Sequence, residues 1–258
     1  MKKNAYFVCA SRHIRTLTLI TVIGSILLPS VNAQEFLNLP DLSVKLAQPA
    51  ADGGDAEALY ILASVYFKGK RVPRDYHKVE ALLTRAAEQG LALAQLHLGD
   101  MYYNGTRIPQ NDAAALHWYQ VAALQGLPQA QYGLAKIYEE GRGTTKNDEE
   151  ARRWYEQAAM QGHAMAQFEV GLLYATGTGV ASDPLTGYMW LALSAAQDNP
   201  QAVTGRDNVR DLLTPEQLTI AQRNAGLFKA TPHYNTEELT RQSKRITDRA
   251  EAIIGVKK

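Results

Sequence analysis

Residues 90–126 read GLALAQLHLGDMYYNGTRIPQNDAAALHWYQVAALQG, and residues 126–162 read GLPQAQYGLAKIYEEGRGTTKNDEEARRWYEQAAMQG. Laid one over the other, the two stretches agree at their opening and closing glycines, at an early Ala-Gln, at a tyrosine followed three residues on by glycine, and at a Trp-Tyr pair. The agreement extends outward in both directions. Gly54, Gly90, Gly126 and Gly162 are each 36 residues apart, the mark of a chain built from stacked supersecondary units.

Counted from each glycine, offset 4 is Ala58, Ala94, Ala130 and Ala166; offset 8 is Leu62, Leu98, Leu134 and Val170; offset 12 is Tyr66, Tyr102, Tyr138 and Tyr174. These positions share one stripe of a helix. Offset 28, Leu82, Trp118, Trp154 and Trp190, and offset 29, Leu83, Tyr119, Tyr155 and Leu191, begin the i, i+4 pattern of a second helix that continues through small residues such as Ala122-Ala123 and Ala158-Ala159. Each unit is therefore a helical hairpin. Gly69, Gly105, Gly141 and Gly177 fall just past the first helix, where a left-handed cap costs glycine least. Asp75, Asp112, Asp148 and Asp183 are predicted to open the second helix by accepting hydrogen bonds from its first-turn amides. Close-approaching Ala and Gly, with Trp118, Trp154 and Tyr138 filling the gaps between hairpins, predict one continuous seam.

These residues resemble the Sel1-like repeats, a tetratricopeptide-like family. The resemblance rests on Gly90 to Gln95, Leu98-Gly-Asp-Met-Tyr102, Gly105, Trp118-Tyr119 and Ala122 to Gly126, and on their counterparts from Gly126 to Gly162. It implies an all-α fold, an α/α solenoid or superhelix of four hairpins at 54–89, 90–125, 126–161 and 162–198. A tetratricopeptide unit would run about 34 residues with its tryptophan in the first helix, whereas here the tryptophan is in the second. The end units depart from the pattern. Residues 34–53 read as a half-repeat cap with Pro49 making its helix irregular, and 199–228 as capping helices, the last opened by Thr214-Pro215-Glu216-Gln217 and running to about Phe228.

The ends carry a different kind of information. Lys2, Lys3, Arg12 and Arg15, the apolar run Leu17 to Leu28, Pro29 and then Val31-Asn32-Ala33 form an export signal over residues 1–33, cleaved after Ala33. Cys9, the single cysteine, leaves with it, so the exported chain has neither a disulfide nor a thiolate. The chain as written carries a formal charge of +1. Without the signal, 23 basic residues face 26 acidic ones. Residues 229–258 are net +3, which leaves net −6 on residues 34–228. Thr236 to Ile254 read as a polar helix with Arg241, Lys244, Arg245 and Arg249 on one face, a set able to dock on an acidic partner, on anionic lipid or on the acidic solenoid itself.

Composition at 46% hydrophobic and 21% charged is that of a folded globular chain, and so small a net charge argues against nucleic acid as the partner. No catalytic constellation is found. His77, His97, His117, His163 and His233 show no compact ligand spacing, although His97 and His117 share a hairpin. Gly141-Arg-Gly-Thr-Thr-Lys146 lacks the phosphate-loop spacing and follows a helix, and no serine elbow is present. Asn104-Gly-Thr106 is a glycosylation sequon by pattern, explained by the loop it occupies.

No cofactor or metal is expected, and function falls to the helix faces left over after packing. On the first helix of each unit, offsets 10 and 13 change chemistry from copy to copy. Ser64, Phe67, Asp100, Tyr103, Lys136, Glu139 and Leu172 are the partner-binding candidates, with Phe67 and Tyr103 expected to form an aromatic shelf. Offset 6, Tyr60, Leu96, Tyr132 and Phe168, is assigned to the core. The resemblance implies a noncatalytic adaptor for a protein or peptide in the bacterial envelope or outside the cell. It also brings one alternative, a hydrolase of the β-lactamase type known from a cysteine-rich branch of the family, and the basic tail gives a second, a membrane-surface adaptor.

Overall fold

A computed structural model describes residues 42–69, 72–231, 241–242 and 244–249. The predicted export segment, residues 1–33, lies outside these residues, as do the first part of the 34–53 cap and much of the tail. Among the described residues every regular element is helical: α1 Leu42–Asp52, α2 Ala56–Lys68, α3 Tyr76–Glu88, α4 Ala92–Asn104, α5 Asp112–Leu124, α6 Pro128–Glu140, α7 Asp148–Met160, α8 Ala164–Thr176, α9 Pro184–Ala195, α10 Pro200–Arg210 and α11 Pro215–Leu227. From α1 to α10 each helix packs on the next, and α11 folds back on α9. The result is an α/α solenoid. Helices α2, α4, α6 and α8 are the first helices of the four hairpins, and α3, α5, α7 and α9 the second.

The caps follow the sequence with one shift. Gly105 and Gly141 end α4 and α6 at φ +61° and +71°, each donating its N–H to the carbonyl four residues back. The second helices open on Asp75, Asn111, Asn147 and Asp183, whose side chains accept from first-turn amides. Asp112 and Asp148 are thus first helical residues, and their predicted capping role belongs to the asparagines before them. An amide oxygen caps as well as a carboxylate, so residue type alone could not place the boundary. Asp198 stands one period after Gly162 and takes the repeat glycine's left-handed conformation, φ +62°. Two other expectations concern the ends. Helix α1 runs through Pro49 without a break, and α11 opens with a full capping box between Thr214 and Gln217.

Shared residues join three of the four core clusters into one seam. Tyr102 touches the first and second, and Tyr138 and Trp154 touch the second and third, while Trp118 lies against the first. Small residues set the spacing. The buried Tyr119 ring lies between Gly99 of its own hairpin and Gly133 of the next, where an added Cβ would come within 2.6 and 2.8 Å of ring carbons. A ladder of glutamines crosses the same seam. Buried Gln95, Gln131 and Gln167 donate to the carbonyls of Ala87, Ala123 and Ala159, and accept from Gln125, Gln161 and Gln197 at 2.6–2.8 Å. Leu59 holds the equivalent place in the first hairpin, next to the cap.

The tail returns to the start. Phe228 packs edge-on against Trp190, and the Thr231 N–H donates to the Met160 carbonyl at the end of α7. Residues 244–249 are helical and lie at the N-terminus of α2, with Arg245 on Glu57 and Arg249 on Asp55, both at 2.6 Å, and Ile246 against the first core cluster. Although burial works against it, the Ala58 amide and the Arg249 guanidinium hold the Asp55 carboxyl below its usual range. Of the three predicted docking surfaces for the tail, these contacts engage the acidic solenoid. Arg241 and Lys244 are exposed.

Candidate partner-binding face

The first helices of successive hairpins are joined side by side through polar and aromatic groups. The Tyr60 ring stacks on His97 at 5.7 Å with its hydroxyl 2.9 Å from Nε2, and Tyr132 stacks on His163 at 5.0 Å. The Tyr103 hydroxyl donates to both carboxylate oxygens of Glu140. Tyrosines of the second helices reach through to the same face. Tyr119 donates to Asp100 and Tyr155 to Glu139, each at 2.8 Å, and burial together with these carboxylates pushes both phenols well above their ordinary range.

Four of the predicted residues converge at the middle of this face. Asp100 and Glu139 accept from the tyrosines, Tyr103 lies between Tyr119 and the Arg142 guanidinium, and Lys136 sits 5.6 Å from the Tyr103 ring and 3.7 Å from Glu140. The other three lie toward the ends. Ser64 donates to the Ile61 carbonyl of its own helix, and Leu172 packs on the last core cluster. Phe67 pairs edge-on with Tyr76 under Arg107, so Phe67 and Tyr103 are two separately covered rings in place of a shared shelf.

Three residues on this face were not among the sequence candidates. Glu169 is half-buried, and desolvation, with the Glu139 charge adding to it and Lys136 opposing it, pushes its carboxyl up to about 7. Its offset, shared with Ile61, His97 and Gly133, varies as freely as the chosen ones and carried the same signal. Tyr132 belongs to offset 6, whose members divide: Leu96 is buried, while Tyr60, Tyr132 and Phe168 are half-buried at the rim of the face. Arg142, in the glycine-containing loop after α6, binds Asp112 at 2.6 Å and the Tyr103 carbonyl at 2.7 Å. Its neighbour Gly143 must be glycine, since a Cβ would lie 2.6 Å from the Asp112 carbonyl oxygen.

Three histidines take structural partners, His77 is exposed, and His233 lies outside the described residues. His97 meets Tyr60, His117 lies edge-on to Trp118, and His163 caps α8 through Nδ1, its pKa lowered by burial. Among the described residues no three metal-ligating side chains come together, and no helix is long and apolar enough to cross a membrane.

The Sel1 repeat family model matches residues 56–91, 92–127, 128–163 and 164–199, more than half of the chain. The chain belongs to the Sel1 repeat family. Among solved structures, it is similar to a protective antigen present in uropathogenic Escherichia coli strains that displays an SLR fold, with 29% identity and a TM-score of 0.65 over 77% of this chain and 42% of that one. It is also similar to a Sel1 repeat protein from Oxalobacter formigenes, with 32% identity and a TM-score of 0.57 over 70% of this chain and 55% of that one. The chain thus spans about half the length of these relatives. No curated protein matches it at comparable significance. Sel1 repeat proteins generally mediate protein–protein interaction, and such scaffolds are typically noncatalytic.

Proposed function

We propose that this chain is an exported, noncatalytic scaffold that holds a protein or peptide partner against the face of α4, α6 and α8, in the bacterial envelope or outside the cell. One observation carries the reading: the side chains of this face differ from hairpin to hairpin, yet they are fastened across hairpins by Tyr103–Glu140 and Tyr132–His163. Side chains held in place before binding lose less entropy on binding, which favours a recognition surface over a solvated one. Export rests on the signal read in residues 1–33. The β-lactamase alternative lacks the cysteines of its branch in the exported chain. The membrane alternative relied on tail arginines, two of which are engaged with Asp55 and Glu57.

The test is affinity capture from the exported fraction using residues 34–258, alongside the double charge swap Lys136→Glu with Glu169→Lys. A partner retained by the first and weakened about tenfold or more by the second, with thermal unfolding little changed, is the expected result. A partner equally retained by the swapped chain would remove the face from consideration, and hydrolysis of a β-lactam by purified protein would replace the whole reading.

A further inference from the structure

The boundary between the first and second hairpins holds a set of cations that differs from the one between the second and third. In the third hairpin, Arg142 covers the Tyr103 ring and is neutralised by Asp112, and Lys146 pairs with Asp148 at 3.1 Å. The ring one period before Tyr103 is Phe67, and Arg107, one place out of step with Arg142, covers it in the same way at 4.6 Å. The residue at the place of Asp112 is there Tyr76, whose ring lies 5.6 Å from the Arg107 guanidinium. The aromatic seat repeats and the carboxylate does not.

Two more cations face the same space. Lys78 donates to the Tyr66 hydroxyl at 2.7 Å and lies over its ring, and Arg74 donates only to the Lys68 carbonyl, at 3.3 Å. Among the described residues none of Arg74, Lys78 and Arg107 forms an ion pair with a carboxylate. Together with Tyr66, Pro73, Asp75, Tyr76 and His77 they line an open depression of about 460 Å³. Asp75 is the one acid there, and its carboxylate is occupied in capping α3 through the Lys78 amide.

We infer that this depression is an anchor for acidic side chains of a partner polypeptide. The inference rests on the scaffold reading above and adds to it the partner's chemistry and a second point of attachment. Guanidinium groups laid on aromatic rings keep their in-plane N–H donors free for a bidentate carboxylate, the partner that Arg142 finds internally and Arg107 does not. A short run of acids can be gripped here while the surrounding body, net −6 over residues 34–228, repels long anionic surfaces such as a bilayer.

The experiment uses fluorescein-labelled octaglutamate as probe, with octaglutamine as its neutral control, read by fluorescence anisotropy against residues 34–258. Octaglutamate binds saturably at low salt and octaglutamine does not. The pair Arg74→Gln and Arg107→Gln weakens binding by about tenfold or more, and Arg153→Gln on the exposed side of α7 leaves it unchanged. Absence of saturable binding, or equal loss in the Arg153→Gln chain, overturns the inference. So does competition by inorganic phosphate at concentrations matching the peptide's carboxylates, which would mark a free-anion site. Preferential loss of binding to phosphatidylglycerol vesicles in the paired variant would assign the depression to lipid instead. The two readings fail separately: a captured partner indifferent to the paired variant sinks the anchor and leaves the scaffold, and octaglutamate binding without any captured partner does the reverse.

Discussion

The first hairpin and the two that follow it share a backbone but are closed by different chemistry. In the second and third, a tyrosine of the second helix reaches across to a carboxylate of the first, Tyr119 to Asp100 and Tyr155 to Glu139. In the first hairpin that place is Leu83, buried among apolar neighbours, and the facing positions are Ser64 and Phe67. The boundaries differ likewise: Arg142 and Asp112 bind the third hairpin to the second, whereas among the described residues Arg107 meets rings of the first and no carboxylate. A repeated fold therefore fixes where side chains sit and leaves their chemistry open. Internal pairing consumes charge in the middle of the array, and its absence leaves charge available at one end.

The largest expected effect is at the tyrosine itself. Tyr119→Ala opens a cavity between Gly99 and Gly133 and lowers unfolding free energy by about 3–5 kcal/mol in urea titration. Tyr119→Phe removes only the hydroxyl bound to Asp100, and the expected loss of about 1 kcal/mol has no counterpart at Leu83. If Tyr119→Phe were neutral, the contrast between polar and apolar closure would be one of shape alone.

The glutamine ladder comes next. Gln131→Ala removes one bond to the Ala123 carbonyl, which keeps the Gly126 N–H, and one of two acceptors of the Gln161 amide, which keeps the Gly126 carbonyl, a cost of about 1–2 kcal/mol by the same measurement. A change within about 0.5 kcal/mol would mean that the ladder follows the packing without supporting it.

The two arginines provide the direct comparison of boundaries. Arg142→Gln is expected to destabilise by about 1–2 kcal/mol, since it removes a partly buried ion pair and a bond to the Tyr103 carbonyl, while Arg107→Gln stays within about 0.5 kcal/mol. Equal losses would erase the distinction drawn between the two loops. The smallest effect belongs to the tail. Arg249→Gln is expected to cost about 0.5 kcal/mol and to speed hydrogen exchange of the Ala58 amide, with added salt doing the same to the unaltered chain. Exchange insensitive to both changes would detach the tail from α2.

Much of this was legible in the sequence because each unit repeats its local instructions. Gly105 and Gly141 mark the ends of first helices, the Trp-Tyr pairs mark the second, and Thr214-Pro215 opens α11 as its capping residues predict. The face was half legible. Asp100, Tyr103, Lys136 and Glu139 were found because their positions vary between copies, whereas Glu169 and Tyr132 were missed although Glu169 varied in the same way. The glutamine ladder repeats as plainly as the tyrosines, but a polar residue in a helix reads as surface until its partners thirty residues away are known. Asn111 and Asn147 were passed over for the aspartates beside them because either residue can cap.

By itself the sequence determined the period, the hairpin, the order of the helices and the solenoid they build, since these follow from local helical spacing and from turns that demand glycine. Only the tertiary structure decided which charges are paired: that Arg142 finds Asp112, that Arg107 finds no acid among the described residues, and that Arg245 and Arg249 close on the first hairpin. Those pairings depend on how far each hairpin is rotated and shifted against its neighbour, a quantity summed over many contacts and written at no single position of the chain.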